Sequence, residues 1–393
     1  MPTGPRGAVG RRIAYHRRVA RMTQQELATA ANIHVGTLRK IERGARGAGD
    51  AVLTSIAAAI GIDPSLLLAD REQAKTRARQ ALPAVSAALA MYEFPDDGPV
   101  RPLPELHAVT DEAVSWRLGA EYARIAHHAP NLLTELFRSF HRSTDDQRIE
   151  ISRLIVSACR SADAVAYKFG AYDLSARLID LMRWAAAHIQ DRLIDTMVAY
   201  VRTETYFAAH AYAAGLRMVE HAIDSASSAQ RKEAIAALGA LHMRAAVLAG
   251  RAGDADIADA HLAEARRLAV RLPEGVYMGT AFGPSSVRIH EVSVAVSLGS
   301  DHVHRALQAG CGWTPPRELP AERRSGFYIE LARAQLWAGR PDDAFESLKT
   351  ARRIAPQHTR DHQWVREDAA TLRRLKRADA QSLTNFAEWC QAI

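Results

Sequence analysis

The stretch Thr23-Gln24-Gln25-Glu26-Leu27-Ala28, together with the later Ile41-Glu42-Arg43-Gly44, decides how the first part of this chain folds. A threonine followed three residues later by a glutamate is a capping box, in which each side chain binds the other residue's backbone N–H at a helix start. The spacing therefore predicts a short helix over residues 24–31. A second short helix is predicted over residues 35–42, because helices commonly end just before a glycine such as Gly44.

Apolar residues at helical spacing continue on both sides of this pair. Before it, the spacing predicts a helix that starts at about Val9 and runs to Val19. After it, residues 52–60 predict a fourth helix, and Asp63-Pro64 begins a short fifth helix over residues 65–68. Five short helices with such brief connections are typical of a compact helix-turn-helix domain.

Four segments within residues 9–70 follow one family signature in its order and spacing. They are residues 23–28, Asn32-Ile33-His34-Val35-Gly36-Thr37-Leu38, residues 41–44 and Ile56-Ala57-Ala58-Ala59-Ile60-Gly61-Ile62-Asp63-Pro64. These segments strongly resemble the lambda-repressor-like, Xre-type helix-turn-helix family. The resemblance implies that the helix over residues 35–42 enters the major groove of DNA, and that Gln24 lies against a backbone phosphate.

A small apolar core is expected to fix the angle between the two motif helices. Ala28 has to be small because the helices cross there. The predicted core residues are Leu27, Ala28, Ile33, Leu38 and Ile41.

The second motif helix carries the side chains that we expect to read DNA. Arg39 or Lys40 can donate hydrogen bonds to O6 and N7 of guanine, and Thr37 can bind a base edge or contact a thymine methyl group. Gly36 departs from the family pattern, which often has a base-reading polar side chain at that position. The predicted DNA-binding residues are Gln24, His34, Val35, Thr37, Arg39, Lys40, Arg43 and Arg46.

Other charged residues of this region have different expected roles. Arg43 and Arg46 suit phosphate contacts, whereas Glu42 is expected to pair with a nearby arginine and hold the loop. Two interpretations stay open for a group of four arginines, which form either a solvated face or flanking phosphate contacts. These are Arg11, Arg12, Arg17 and Arg18.

The positive charge of the chain is concentrated near its N-terminus. Residues 1–80 hold 14 Lys and Arg against six Asp and Glu, an excess of eight, while the whole chain of 393 residues has a net charge of +7. Residues 81–393 therefore carry a net charge of −1. A phosphate-binding module joined to a neutral body has this distribution. Charge alone leaves an incidental basic tail open as the alternative.

The rest of the chain reads as helix after helix with a period near forty residues. The clearest unit spans residues 328–356, with small residues in both helices, Gly339 at the turn and a final proline. It resembles the tetratricopeptide (TPR) repeat, and a second such unit over residues 231–272 turns at Gly253-Asp254. Three weaker units turn near Gly170, near His210 and near Gly299-Ser300.

The sequence therefore predicts an all-α protein in which a five-helix lambda-repressor-like domain precedes a TPR-like α-solenoid. The predicted parts are a DNA-binding domain over residues 1–70, a helical and Pro-rich linker over 71–104, repeats over 105–360 and capping helices over 361–393. Five large apolar residues of the last part are spaced to cover the final repeat. They are Trp364, Leu372, Leu375, Phe386 and Trp389. An irregular helical bundle is the competing interpretation of the body.

A solenoid presents a concave surface, which commonly binds a peptide, a protein or a small molecule. An Xre-type head joined to a TPR body resembles the TPR regulators of actinomycetes and, more distantly, the peptide-sensing quorum regulators. The latter typically grip the ligand backbone with asparagines, and Asn131 and Asn385 are the only asparagines after Asn32. Our candidates for ligand contacts in the groove are Tyr206, Arg288 and Arg333; for each, a solvated or inter-repeat position is the alternative.

Several other kinds of site are not indicated by the sequence. The three scattered cysteines favour a reducing cytoplasm over a disulfide framework. His358 and His362 share a helix face without an identifiable third ligand, so no metal site is predicted. We also predict no cofactor and no enzyme activity, because the sequence has neither a nucleotide-binding loop nor a catalytic motif. Neither export nor membrane insertion is expected, since no long apolar run is evident.

Together these features predict a cytoplasmic, sequence-specific transcriptional regulator that binds double-stranded DNA as a homodimer. The TPR-like domain is expected to mediate dimerisation and to sense a small-molecule, peptide or protein effector. The main alternative is a TPR protein-interaction scaffold with a vestigial helix-turn-helix head, and an enzyme is the third choice.

Overall fold

A computed structural model describes residues 5–20, 22–60, 67, 81–226, 230–375 and 380–392. Its internal contacts divide the chain into two compact units. The first, here called the head, comprises Met1–Arg77 and Arg377–Trp389. The second, here called the body, comprises Ala78–Lys376 and Cys390–Ile393.

The head contains the predicted succession of short helices. They are α1 (Pro5–Val19), α2 (Gln24–Ala30), α3 (Val35–Glu42) and α4 (Asp50–Ile60). The predicted fifth helix over residues 65–68 lies outside the described residues except for Leu67, which is helical and fully buried.

The core of the head is made by apolar side chains from all four helices. Ile13, Leu27, Leu38 and Ile56 are fully buried in it, whereas Ile33 packs against it half-buried. Each fully buried side chain of this size contributes about 2 kcal/mol to folding. Gly10 brings α1 against the end of α3 so closely that a Cβ there would lie 2.2 Å from the carbonyl oxygen of Ile41. The position of α3 is therefore fixed by buried contacts.

The body is a succession of antiparallel helix pairs, with one small hairpin and a 3₁₀ turn at Ser300–His302. Its helices are α5 (Ala81–Ala90), α6 (Leu103–Leu118), α7 (Tyr122–Arg142), α8 (Asp145–Lys168), α9 (Tyr172–Ala187), α10 (Arg192–Ala208), α11 (Tyr212–Ser225), α12 (Lys232–Ala252), α13 (Ala255–Ala269), α14 (Pro284–Leu298), α15 (Val303–Gly310), α16 (Ala321–Trp337), α17 (Pro341–Ile354), α18 (Pro356–Asp361) and α19 (Gln363–Leu375). The prediction of an all-α chain with a TPR-like body is confirmed.

Single residues in the left-handed conformation connect many of these pairs. Gly170, Gly253 and Gly339 have φ values of 75°, 85° and 70° at the turns predicted from their glycines. Glycine adopts this conformation without the steric cost that a Cβ brings. The corresponding turns at Gln190 and His210 use non-glycine residues with φ values of 51° and 53°. The turn at His210 was predicted from the repeat pattern, whereas the turn at Gln190, which no glycine marks, was not.

The N-terminal border of the body differs from the predicted one. Helix α5 falls within the predicted linker over residues 71–104, yet its Val85, Ala88 and Leu89 are buried in the main core of the body. The Pro-rich part that follows is non-helical, and Phe94 is 86% exposed there. Within the described residues 81–104, the Pro-rich part is thus the surface connection, and α5 belongs to the body.

The predicted capping segment over residues 361–393 separates into two parts. Helix α19 packs on α16 and α17 of the body, with Leu372 fully buried. The last helix, α20 (Ala380–Trp389), belongs to the head and contacts α4. Phe386 and Trp389, which were predicted to cover the final repeat, lie on α20 of the head instead.

A two-stranded hairpin between α13 and α14 was not predicted. Strand β1 (Gly275–Tyr277) pairs antiparallel with β2 (Thr280–Phe282), joined by Met278 and Gly279 with φ values of 47° and 74°. Two positive φ values in a two-residue loop define a type I′ turn, which matches the twist of the strands. Phe282 is fully buried against Gly239 of α12, where a Cβ would lie 2.0 Å from its ring.

Helix α12 is the one described helix that is long and apolar enough to cross a membrane. However, 72% of its apolar window is buried inside the body. Its apolar character therefore fits a central position among the repeats.

Candidate nucleic-acid interface and the cavity of the body

Helices α2 and α3 form a helix-turn-helix unit whose ends are individually fixed. The side chain of Thr23 accepts a hydrogen bond from the backbone N–H of Glu26 at 3.2 Å, and Glu26 accepts one from the N–H of Thr23 at 2.7 Å. This is the predicted capping box. Asn32 makes the turn with φ 51°, a conformation that asparagine tolerates better than most residues.

The C-terminal end of α3 is closed by a Schellman motif. The N–H of Gly44, with φ 73°, donates to the carbonyl of Ile41, and the N–H of Ala45 donates to that of Lys40, both at 2.9 Å. Gly44 supplies the left-handed residue that this motif requires. The predicted end of α3 is confirmed, and the loop carrying Arg46 therefore leaves the helix in a defined direction.

Glu42 anchors α3 to the two preceding helices, as predicted for a structural residue. Its carboxylate accepts hydrogen bonds from Nε and Nη2 of Arg17 at 2.7 and 3.1 Å, and from Nε2 of Gln24 at 2.6 Å. The side chains of Arg17 and Glu42 are only 12% and 6% exposed. Arg17 is thus neither a solvated residue nor a phosphate contact. One N–H of the Gln24 amide already donates to Glu42. A contact between its second N–H and a DNA phosphate remains a prediction.

The cationic side chains on α3 and just after it point into solvent. Arg39, Lys40 and Arg46 are exposed, and within the described part of the chain none of them makes a hydrogen bond or an ion pair. Arg43 is exposed too, although its Nε donates to the carbonyl of Arg39 at 3.2 Å. Thr37 is half-buried on the same helix. Arg39 and Lys40 on α3, with Arg43 and Arg46 just after it, are therefore four exposed cations that form no ion pair with a carboxylate among the described residues.

His34 performs a structural role at the start of α3. Its Nδ1 accepts a hydrogen bond from the N–H of Gly36 at 3.1 Å, so the ring caps the helix. In the neutral ring the proton then lies on Nε2, which remains a donor. A Cβ on Gly36 would come within 3.1 Å of Nδ1. Glycine at this position therefore leaves room for the capping ring. Val35, the first residue of α3, is half-buried.

The remaining arginines of α1 fall into two groups. Arg11 and Arg18 are exposed, whereas Arg12 is half-buried and its Nη1 donates to the carbonyl of Leu67 at 3.5 Å. For Arg11 and Arg18 the choice between a solvated face and phosphate contacts remains open.

The three ligand contacts predicted from the sequence are not brought together. Arg333 is held by Asp368 at 2.9 Å and Glu367 at 2.6 Å. Arg288 donates to the carbonyl of Ala309 at 2.9 Å and lies on a separate surface cavity between α13, α14 and α15. Tyr206 packs against Gly215 of the neighbouring helix. Position on the first helix of a repeat was too weak a signal, because it does not show which way a side chain points.

A different set of residues lines a cavity of about 330 Å³ inside the body. The first helices of successive pairs form its walls, together with the hairpin. These helices are α6, α8, α10, α12, α14 and α16. His358 and His362 reach it as well, but no group of three or more His, Cys, Asp or Glu in the described residues is placed to hold a metal ion.

Comparison with known proteins gives one family match and several structural similarities. The family HTH_3, described as helix-turn-helix, matches residues 16–67. BtubC (BKLC) of P. vanneervenii is similar in structure with a TM-score of 0.37 and 15% identity over 65% of this chain and 91% of its own. Bacillus thuringiensis PlcR, solved in complex with the peptide PapR7 and DNA, has a TM-score of 0.28 and 16% identity over 67% and 94%.

A third similar structure is apo ComR of S. thermophilus, with a TM-score of 0.25 and 12% identity over 95% of this chain and 99% of its own. No curated protein sequence matches the chain significantly. The match over residues 16–67 coincides with the fixed helix pair and its exposed cations. Residues 16–67 are therefore a helix-turn-helix domain of the Xre type, the DNA-binding domain of transcription regulators.

Proposed function

We propose that this protein is a sequence-specific transcriptional regulator that binds operator DNA as a homodimer in the cytoplasm and senses an effector through its body. The observation that carries the proposal is the set of uncompensated cations on α3. Arg39 and Lys40 are exposed on a helix whose two ends are capped, and whose position is fixed by Glu42 and Gly10.

Such a surface suits a DNA duplex for two physical reasons. The excess of eight positive charges in residues 1–80 attracts the phosphate backbone and raises affinity through counterion release. A rigid helix then places donors against base edges, where one well-placed bidentate contact discriminates against a wrong base by about 1–3 kcal/mol.

Dimerisation follows from the small size of the head. One helix-turn-helix domain contacts only a few base pairs, and two related copies double those contacts along one face of the duplex. An effector bound in the body would change DNA binding only if it bound one arrangement of the dimer better than the other.

The decisive experiment compares two double variants of the full chain. Arg39→Ala/Lys40→Ala removes both exposed cations of α3, while Arg217→Ala/Arg231→Ala removes two exposed cations of the body. Sites bound in the genome are first mapped for the unmodified protein, and duplexes from those sites are then titrated at several salt concentrations.

We expect the α3 variant to bind these duplexes roughly 100-fold more weakly, with a salt dependence reduced by about one unit of slope per lost phosphate contact. The body variant is expected to bind like the unmodified protein. For a dimer, the mapped sites are inverted repeats with half-site centres about 10 base pairs or a multiple apart. Equal DNA binding by both variants, or no salt-sensitive DNA binding at all, would point to a scaffold with a vestigial head.

A further inference from the structure

The cavity of the body contains more positive than negative side chains. Four carboxyl groups line it: Asp163, Glu204, Glu322 and Glu330. Six cationic groups line it: Arg117, Arg160, Lys168, Arg244, Arg251 and Arg323. The formal charge of the lining is thus +2. Burial, together with the nearby Glu204, raises the pKa of Asp163 well above its usual range.

Three of these arginines bind neutral groups in place of carboxylates. Nη2 of Arg117 donates to the carbonyl of Gly279 at 3.0 Å, and Nη1 of Arg160 donates to that of Met278 at 2.8 Å. Both carbonyls belong to the turn of the hairpin. Arg323 donates to the hydroxyl of Tyr200 and contacts Nε2 of His290 at 3.3 Å. Among the described residues, these three guanidinium groups therefore form hydrogen bonds but no ion pair with a carboxylate.

Some buried donors in the cavity have no hydrogen-bond partner. Nε of Arg117 and Nε of Arg244 are both buried, and neither has an acceptor among the described residues. The nearest carboxylate to Arg244 is Glu204, at 3.5 Å from its Nη2. A buried donor without an acceptor costs roughly 1–3 kcal/mol in general, so such groups commonly mark the place of a missing partner.

Aromatic rings hold these guanidinium groups in place. Arg244 lies 4.4 Å from the ring centre of Tyr200, and Arg160 lies 5.8 Å from the same ring. Arg251 lies 4.7 Å from the ring centre of Phe207. Stacked guanidinium groups lose little further freedom when they bind, and their planar forks match carboxylate and phosphate oxygens.

We infer that this cavity binds a small molecule with at least two anionic groups, carboxylates or phosphates, held by Arg117, Arg160, Arg244 and Arg323. The cavity volume of about 330 Å³ lies at the lower end of the range for small-molecule sites. An anionic oxygen carries a full negative charge that a neutral carbonyl lacks, so it competes well with the hairpin turn for Arg117 and Arg160. An effect of the bound anion on DNA binding rests on the proposed function, whereas binding of the anion to the cavity does not.

The test measures anion binding to the full chain in the absence of DNA by isothermal titration calorimetry. The probes are citrate and pyrophosphate, each at a constant ionic strength set with sodium chloride, and glycerol serves as an uncharged probe. We expect a dissociation constant of about 1 mM or lower for at least one anion and no binding of glycerol. The tighter anion identifies the ligand as a carboxylate or a phosphate. Absence of binding by both anions at about ten times that concentration overturns the inference.

Matched variants then locate the site. Arg160→Met is expected to weaken anion binding about ten-fold or more, and Arg160→Lys, which keeps the charge, to weaken it less. Arg323→Met provides a second variant in case Arg160→Met does not fold, as monitored by circular dichroism. Arg183→Met, at an exposed position of α9, is expected to bind like the unmodified protein. Equal weakening by Arg183→Met and Arg160→Met would show that binding is non-specific and would overturn the site.

The variant Arg39→Ala/Lys40→Ala separates this inference from the proposed function. It is expected to lose DNA binding while it binds the anion normally. Failure of anion binding in a chain that still binds DNA refutes only the cavity assignment, and the reverse result refutes only the DNA-binding proposal.

Discussion

The head and the body use arginine in opposite environments. Arg39 and Arg46 of the head are exposed and have no partner in the described residues, whereas Arg160 of the body is 7% exposed and bonded to the hairpin. An exposed cation acts on a polyanion at long range and is screened by salt. A buried cation acts at short range, where the low dielectric strengthens its interactions and makes their geometry selective. This difference is the physical basis of our proposals that the head binds a large polyanion and that the body binds a small anion.

Unlike Arg39 and Arg46, Arg17 of the head is nearly buried and forms an ion pair. Its replacement is therefore expected to have the largest effect on stability. Replacing Arg17 with Met leaves the nearly buried carboxylate of Glu42 without its ionic partner. Loss of one member of a buried ion pair costs about 3 kcal/mol. We expect the free energy of opening of α1, α2 and α3 to fall by that amount. Native-state hydrogen exchange of the full chain measures it.

The control is Arg183→Met, which removes a pair with Asp180 in which the side chains are 52% and 72% exposed. Such a surface pair contributes at most about 0.5 kcal/mol. If both substitutions changed stability equally, the head would not rely on a buried ion pair to hold α3.

Acid is expected to destabilise the body through its buried histidines. Burial, reinforced by Arg323 and Arg244, lowers the pKa of His290 to about 3. An unfolded chain binds a proton on histidine at about pH 6.5. As the pH falls from about 6.5 to 4.5, the unfolded state therefore gains a proton that the folded state does not bind, and His290 reduces stability by about 2 kcal/mol.

The buried carboxyl group of Glu330 works in the opposite direction. Burial raises its pKa to about 7, so its contribution is largest in acid and is lost as the pH rises from about 4.5 to 7. The contribution of His290 is isolated by comparing the unmodified protein with His290→Gln in urea denaturation at several pH values. We expect a shallower loss of stability in acid for the variant. Identical pH profiles would show that His290 binds its proton in the folded body.

The smallest effect concerns the start of α3. His34→Ala removes the acceptor that caps the N–H of Gly36 and is expected to destabilise the head by about 1 kcal/mol. His34→Asn supplies another capping side chain and is expected to recover most of that loss. Hydrogen exchange of the amides at the start of α3 measures both variants. Equal protection in the two would show that the cap is not what holds the helix end.

The local structure of the head could be predicted from the sequence alone. The capping box at Thr23, the αL glycine at Gly44 and the core positions Leu27 and Leu38 act between residues close in sequence, so spacing alone places them. In the body the same reasoning found the turns marked by Gly170, Gly253 and Gly339. It did not find the hairpin, whose strands of three residues are too short to show a periodicity.

The residues that line the cavity could not be predicted from the sequence. Arg160 and Arg244 were not among the predicted ligand contacts, while Arg288 and Arg333 have protein partners of their own. All four are arginines on the first helices of their pairs, so neither composition nor repeat position distinguishes them. The direction in which each side chain points depends on how successive helix pairs rotate against one another.

By itself, the sequence determined an all-α chain, a helix-turn-helix head with exposed cations, and a repeat body, because these features depend on spacing and on charges counted along the chain. The tertiary structure alone decided that Arg17 is the arginine that pairs with Glu42, that α20 joins the head, and that residues from Arg117 to Arg323 converge on one cavity. These are contacts between residues far apart in sequence, and they are set by the packing of whole helices against each other.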